Sequence, residues 1–235
     1  MTTFDLITLK CPHCGILMSA YELMSYTVHR AETWSDGKTE FGVPEMHLIG
    51  ICPECSKVFW RDDARIEREE PGQQEEELPS VMDIHDLDWR LDDDRDIKRV
   101  AFYQDLLDKG FTDTDEKEFY VRTRIWWSVN DLVRHLATWR SARNLRQLKA
   151  IVSHRAKTRK LFARYAEIYR KNLDRLLFIY IKTADVDLLY LANMYREQGN
   201  FRKAADILAK VERKGNTWKK VRKKVRRKDR RVFKI

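Results

Sequence analysis

At 235 residues the chain can hold one large domain or two small ones, and eight Gly and five Pro among many Leu, Arg, Lys and Glu favour helix over most of its length. The opening Met1-Thr2-Thr3-Phe4-Asp5 has no basic region ahead of an apolar run, and the longest purely apolar run, Leu176 to Ile181, is far too short for a bilayer, so a cytoplasmic protein is expected. The formal charge of +9 is unevenly spread. Residues 213–235 carry 13 Lys/Arg against one acid, Asp229, a net of +12, and everything before them sums to −3. On that count any polyanion argument belongs to the C-terminal stretch.

Taken in order, Phe4 to Lys10 alternates apolar and polar residues as a strand and runs into Cys11-Pro12-His13-Cys14. A second pair, Cys52-Pro53-Glu54-Cys55, uses the remaining cysteines. Each Cys-x-x-Cys turns two thiolates toward one point, and two such turns complete a tetrahedron around a metal; zinc suits four sulfurs best. A thioredoxin-like redox pair needs a βαβ setting, and neither pair is followed by a clear helix. Two structural disulfides suit a small secreted domain, for which no export signal is present. The reading is a zinc ribbon at 1–66 with Cys11, Cys14, Cys52 and Cys55 as ligands, structural because no open position remains for water. His13 is then a bystander.

Between the pairs, residues 21–34 and 38–51 read as two long arms, with Asp36-Gly37 as the hairpin turn and Pro44 as a bulge or edge. Residues 67–96 hold 13 acids, three Arg and the breakers Pro71-Gly72 and Pro79, a solvated acidic linker. Asp83, His85, Asp86 and Asp88 match no defined metal loop, and Val81, Ile84, Leu87 and Trp89 are expected to anchor part of the linker on a neighbouring helix.

Helices are expected over 97–109, from a capping box at Asp113 and Glu116 to about Leu136, over 144–152, and over 158 to about 182. The adjacent Trp126 and Trp127 cannot both face one core, so one ring meets a helix contact or a groove. Leu188, Leu191, Ala192 and Tyr195 line one helix ending before Gly199-Asn200, and Phe201, Ala204, Leu208 and Val211 line the next. This is a tetratricopeptide-like pattern, faintly echoed at Ala166 to Lys171. The fold class expected is α+β: a β-rich zinc ribbon, then an all-α tetratricopeptide-like array over 97–212, then a basic helix or tail over 213–235.

The chain as a whole resembles an uncharacterised bacterial family that joins a Cys-Pro-x-Cys…Cys-Pro-x-Cys ribbon to tetratricopeptide-like helices. Cys11 to Gly15, Cys52 to Cys55, Leu188 to Lys210 and the segment Arg122 to Trp127 carry the resemblance; Ser56, where such a knuckle often has Gly, and the basic tail depart from it. It implies an architecture and a binding role but no activity.

In the tail, Trp218, Val221, Val225 and Val232 fall near one helical stripe. The stripe can dock and cap the array, leaving Lys219, Lys220, Arg222, Lys223, Lys224, Arg226, Arg227, Lys228, Arg230 and Arg231 for nucleic-acid phosphates, an acidic protein or an anionic membrane surface. Two functions follow. The first is a non-enzymatic zinc-binding adaptor whose helical array grips a protein partner. The second is a sequence-nonspecific nucleic-acid-binding protein using tail and ribbon. No phosphate-cradling Gly-rich loop and no nucleophile-base arrangement can be placed, so enzyme activity is not expected.

Overall fold

A computed structural model describes residues 3–27, 31–40, 47–65, 78–82, 95–134, 136, 141–183 and 185–235. The fold is mixed, short antiparallel strands followed by helices, and the chain forms two compact units. One comprises residues 1–31 and 40–95. The other comprises residues 96–235 together with 32–39, so the stretch around Asp36-Gly37, expected within the ribbon, belongs to the helical unit.

In the first unit, strands β1 (Thr3–Lys10) and β2 (Leu17–Ser25) pair antiparallel across the first cysteine turn. Their alternation places Leu9 opposite Met18 and Ile7 opposite Ala20 on one face. Strands β5 (Ile49–Ile51) and β6 (Val58–Trp60) repeat the arrangement across the second turn, and a single helical turn, α1 (Arg61–Ala64), follows. Leu9, Met18, Ala20, Phe59, Ala64 and Val81 share one core with Cys11 and Cys52. Val81 reaches that core because its segment bridges two strands: its amide donates to Ser19 O at 2.9 Å, and Met82 and Ile51 exchange backbone hydrogen bonds of 3.1 and 2.9 Å. A Cβ at Gly50 would lie 2.8 Å from both Val81 and Phe59, so glycine permits this approach.

Val81 therefore anchors on the ribbon, not on a helix. Ile84, Leu87 and Trp89, the Asp83, His85, Asp86 and Asp88 group and Pro44 lie outside the described residues. The long arms expected over 21–34 and 38–51 are broken up among the described residues: β2 stops at Ser25, Glu32–Thr33 and Thr39–Glu40 are separate two-residue strands, and Ile49–Ile51 is a further strand of the second arm.

In the helical unit, α2 (Arg95–Asp108) ends at Gly110, whose φ of 67° suits glycine. Helix α3 (Asp115–Arg134) is capped by Thr114, whose hydroxyl accepts from the Lys117 amide at 3.2 Å; the Asp113 box expected there is displaced by one residue. Asn144 caps α4 (Leu145–Tyr180) by accepting from the Gln147 amide. The break expected between 152 and 158 does not occur, because Ser153 to Lys157 contains neither Gly nor Pro.

Helices α3 and α4 pack antiparallel. Glu118 receives Arg175 Nε and Nη2 at 2.9 and 2.7 Å, and Asn172 Nδ2 donates to Arg122 O at 2.8 Å. Arg175 and Arg122 together hold the Glu118 carboxyl down at about 2, against the pull of partial burial. A depressed carboxylate stabilises above its unfolded value and loses that effect as pH falls. Glu118→Gln should therefore flatten the drop in stability between about pH 4.5 and about pH 2, measured by thermal unfolding across that window. An unchanged acid limb would contradict the assignment.

The last three helices form a small bundle. Helix α5 (Leu188–Gln198) starts at an Asp187 cap and ends at Gly199 with φ 95°; α6 (Phe201–Ala209) starts at an Asn200 cap; α7 is Asn216–Arg226. Ala192 and Ala204 allow α5 and α6 to approach closely, and Leu208, Val221 and Val225 complete their cluster. The echo at Ala166 to Lys171 lies inside continuous α4 and begins no second hairpin.

The hairpin formed by β3 (Glu32–Thr33) and β4 (Thr39–Glu40) turns at residues 35–37. Asp36 accepts from Arg134 Nη1 and Nη2 at 3.0 and 2.6 Å and from Asn130 at 2.8 Å. Beside it, Glu197 accepts from Arg196, Asn130, Trp126 and Tyr169 at 2.7 to 3.1 Å. The side chains of Asp36, Arg134, Arg196 and Glu197 are wholly buried, two carboxylates against two guanidiniums. The C-terminus joins in: Ser35 N donates to Phe233 O at 2.9 Å and Ile235 N to Thr33 O at 3.0 Å. This also settles the tryptophan pair. Trp126 is core, and Trp127 gives its Nε1–H to Asp36 O at 2.9 Å. Gly37, with φ 78°, leaves no room for a side chain, since a Cβ would stand 2.7 Å from Tyr190.

Candidate metal centre and cationic helix faces

The two cysteine turns have matching backbone geometry. Gly15 N donates to Cys11 O and Cys11 N to Ile16 O, both at 2.9 Å; Ser56 N donates to Cys52 O at 2.9 Å and Cys52 N to Lys57 O at 3.0 Å. The residue after each second cysteine takes a left-handed conformation, Gly15 at φ 78° and Ser56 at φ 55°. Ser56 thus adopts at some strain the shape that glycine would adopt freely. The amides of His13 and Cys55 point at Cys11 Sγ and Cys52 Sγ, at 3.4 and 3.5 Å.

These turns bring all four sulfurs within 4.8 Å of one another. Cys11 Sγ lies 3.8 Å from Cys55 Sγ, and Cys14 Sγ lies 3.6 Å from Cys52 Sγ. Four sulfurs at about 2.3 Å from a tetrahedral ion are about 3.8 Å apart, whereas a disulfide needs about 2.0 Å. All four thiols are free, and their spacing fits one metal ion. Cys11 and Cys52 are buried, Cys55 is half-buried and Cys14 is exposed, so one side of the cluster rests in the core.

Burial opposes ionisation of Cys11, but the amides of Cys14 and His13 outweigh it and hold the thiol at about 6. Cys14 is pushed up to about 12: the Ile16 amide favours its thiolate, and desolvation with three neighbouring sulfurs overrides that. Four close thiols ionise together only when a cation shares their charge. His13 Nε2 sits 3.1 Å from Val58 O and is directed to that carbonyl.

The cations named in the tail do not form one surface. Val221 and Val225 are buried and Trp218 is half-buried, its Nε1–H donating to Leu208 O at 3.0 Å. On the adjoining face, Lys219, Arg222, Lys223, Arg226 and Arg227 follow the i, i+3, i+4, i+7, i+8 spacing and, with Trp218, line an open space of about 500 Å³, the Arg222 guanidinium lying 5.0 Å from the centre of the Trp218 ring. Lys220 and Lys228 are exposed as well. Lys224, Arg230 and Arg231 turn back on the protein: the first and last pair with Asp229 at 2.8 and 2.9 Å, and Arg230 Nε donates to Glu197 O at 2.8 Å. Val232 is buried too, beyond the end of the helix.

One cationic stretch escaped the charge count. Residues 132–166 contain ten Lys/Arg and no Asp or Glu, and most of them lie on α4. The net of −3 ahead of residue 213 conceals this stretch because the acidic residues 67–96 cancel it. A window of about 30 residues would have shown it. Summed by unit, residues 1–31 and 40–95 carry eight Lys/Arg against 19 acids, and the helical unit 38 against 18, a net of +20.

Among the described residues no helix is long and apolar enough to cross a membrane. The cysteine cluster is the part of the expected family pattern that the structure displays. Comparison with protein families, with curated proteins and with solved structures finds no match to this chain.

Proposed function

We propose that the protein is a non-enzymatic, zinc-stapled binding protein whose helical unit holds the phosphate backbone of nucleic acid without reading its sequence. Zinc is the metal favoured by a four-thiolate donor set, since it takes sulfur tetrahedrally and brings no redox chemistry. All four ligand positions would come from the chain, so the ion's role is to staple β1–β2 to β5–β6.

The observation that carries the binding reading is the division of α7. Its apolar stripe is docked on α5 and α6, while Lys219, Arg222, Lys223, Arg226 and Arg227 share the outward face. A docked helix presents its cations at fixed spacing and loses little further entropy on binding, whereas a loose tail would have to order first. Neutralising phosphates then releases condensed counterions. The adaptor reading places a protein segment in the groove of the helical array, and α7 already covers the face of the α5–α6 hairpin. That favours the second of the two functions read from the sequence.

The triple variant Lys219→Gln, Lys223→Gln and Arg226→Gln removes three exposed charges without touching the docked stripe. It should bind a fluorescently labelled 20-base-pair duplex at least about tenfold more weakly near 100 mM salt, with unfolding temperature unchanged. Equal affinity of variant and parent would reject α7 as the binding surface.

A further inference from the structure

We infer that the first two-thirds of α4 is a second phosphate-binding surface, independent of α7, and that it tracks the backbone of a nucleic acid. The inference rests on the nucleic-acid reading above for the class of ligand but on a different helix for its site.

At 100° per residue, Arg146, Lys149, Lys157, Lys160 and Arg164 project within about 80° of one another, with Ser153 the only uncharged residue in the row. All six are exposed. The opposite side of the helix carries Leu148, Ile151, Thr158, Phe162 and Tyr165, which are partly or wholly buried. The helix therefore turns its apolar seam to the protein and its cations to solvent. Between Asp131 and Glu167 the sequence contains no Asp or Glu. In the second half of α4 acids are interspersed, and Arg170 pairs with Asp174, Lys171 with Glu167 and Arg175 with Glu118.

From Arg146 to Arg164 the row is about 27 Å long, which equals the rise of about eight base pairs. A row of like charges held at turn spacing on a rigid rod matches a regularly repeating polyanion. The same charges repel a second copy of this helix. An anionic membrane is disfavoured because the seam that would enter the lipid is turned into the protein, leaving Leu145 and Val152 as the exposed large apolar side chains of this segment.

The test uses the full chain and a labelled 20-base-pair duplex, with log K followed against log salt. Lys149→Gln, Lys160→Gln and Arg164→Gln together should keep the parent's circular dichroism and unfolding temperature. They should lower the salt slope by about 2 to 3, near 0.9 for each phosphate no longer neutralised. Lys149→Arg with Lys160→Arg should keep the parent slope, separating charge from fold. If the α4 variant keeps the parent affinity and slope while the α7 variant loses them, the α4 surface is overturned and the α7 reading stands. If α4 loses them and α7 does not, the inference holds and the α7 reading fails. A parent that binds no nucleic acid overturns both, and one that binds phosphatidylserine vesicles in place of duplex overturns the choice of ligand.

Discussion

Cys52→Ser should abolish metal binding and unfold the ribbon unit, the largest effect expected of any single substitution in the chain. Cys52 is fully buried, shares the core of Leu9, Met18 and Phe59, and sits 3.6 Å from Cys14 Sγ. A core of this size stabilises weakly by itself, and in small metal domains the energy of ligation is the energy of folding, apparent values being about 10 kcal/mol or more. Native mass spectrometry should show one ion per parent chain and none in the variant. Amide exchange should lose protection in β1, β2, β5 and β6 and keep it in α3, α4 and α5. Because the ligands must be thiolates, acidification should release the ion from the parent as well. A variant that keeps one tightly held ion, or keeps its strand protection, would contradict the structural role of the cluster.

Asp36→Ala should destabilise the helical unit by about 3–5 kcal/mol, the usual cost of leaving one partner of a buried ion pair uncompensated. Arg134 has zero exposure, and Asp36 answers both of its terminal nitrogens. Burial works against the Arg134 charge, yet Asp36 and Asp131 more than offset it and raise its pKa above the ordinary arginine value. Removing Asp36 also takes an acceptor from Asn130. Urea denaturation gives the difference, and Arg134→Leu added to Asp36→Ala should recover much of it, since no buried charge then stands alone. A single-variant loss under about 1 kcal/mol would show that Asp131, 2.6 Å from Arg134 Nε, suffices to compensate the buried charge and would contradict the role given to Asp36.

What could be read from sequence divides by range of interaction. The cysteine pairs were legible because two short spacings carry the whole geometry, and the helix end at Gly199-Asn200 because it acts within one turn. The destination of Asp36 was not legible. Asp-Gly signals a turn wherever it occurs, and only the partners at Arg134 and Asn130, about 95 residues away, decide which unit receives it. Val81 likewise looked like part of a charged linker, and its place beside Gly50 depends on a long-range bridge to Ser19 and Ile51. The α4 stripe was hidden for another reason. Net charge over a long stretch averages opposite blocks, while a binding face depends on local density and helical phase.

The central claim is that this protein meets its ligand through regularly spaced cations on rigid helices. Its most direct test is a salt titration of the unmodified full chain against labelled duplex and single strand of unrelated sequences. The account predicts that log K falls linearly with log salt at a slope of about −4 or steeper, the same for each sequence. Binding that is absent at low salt, insensitive to salt, or confined to one sequence would contradict it.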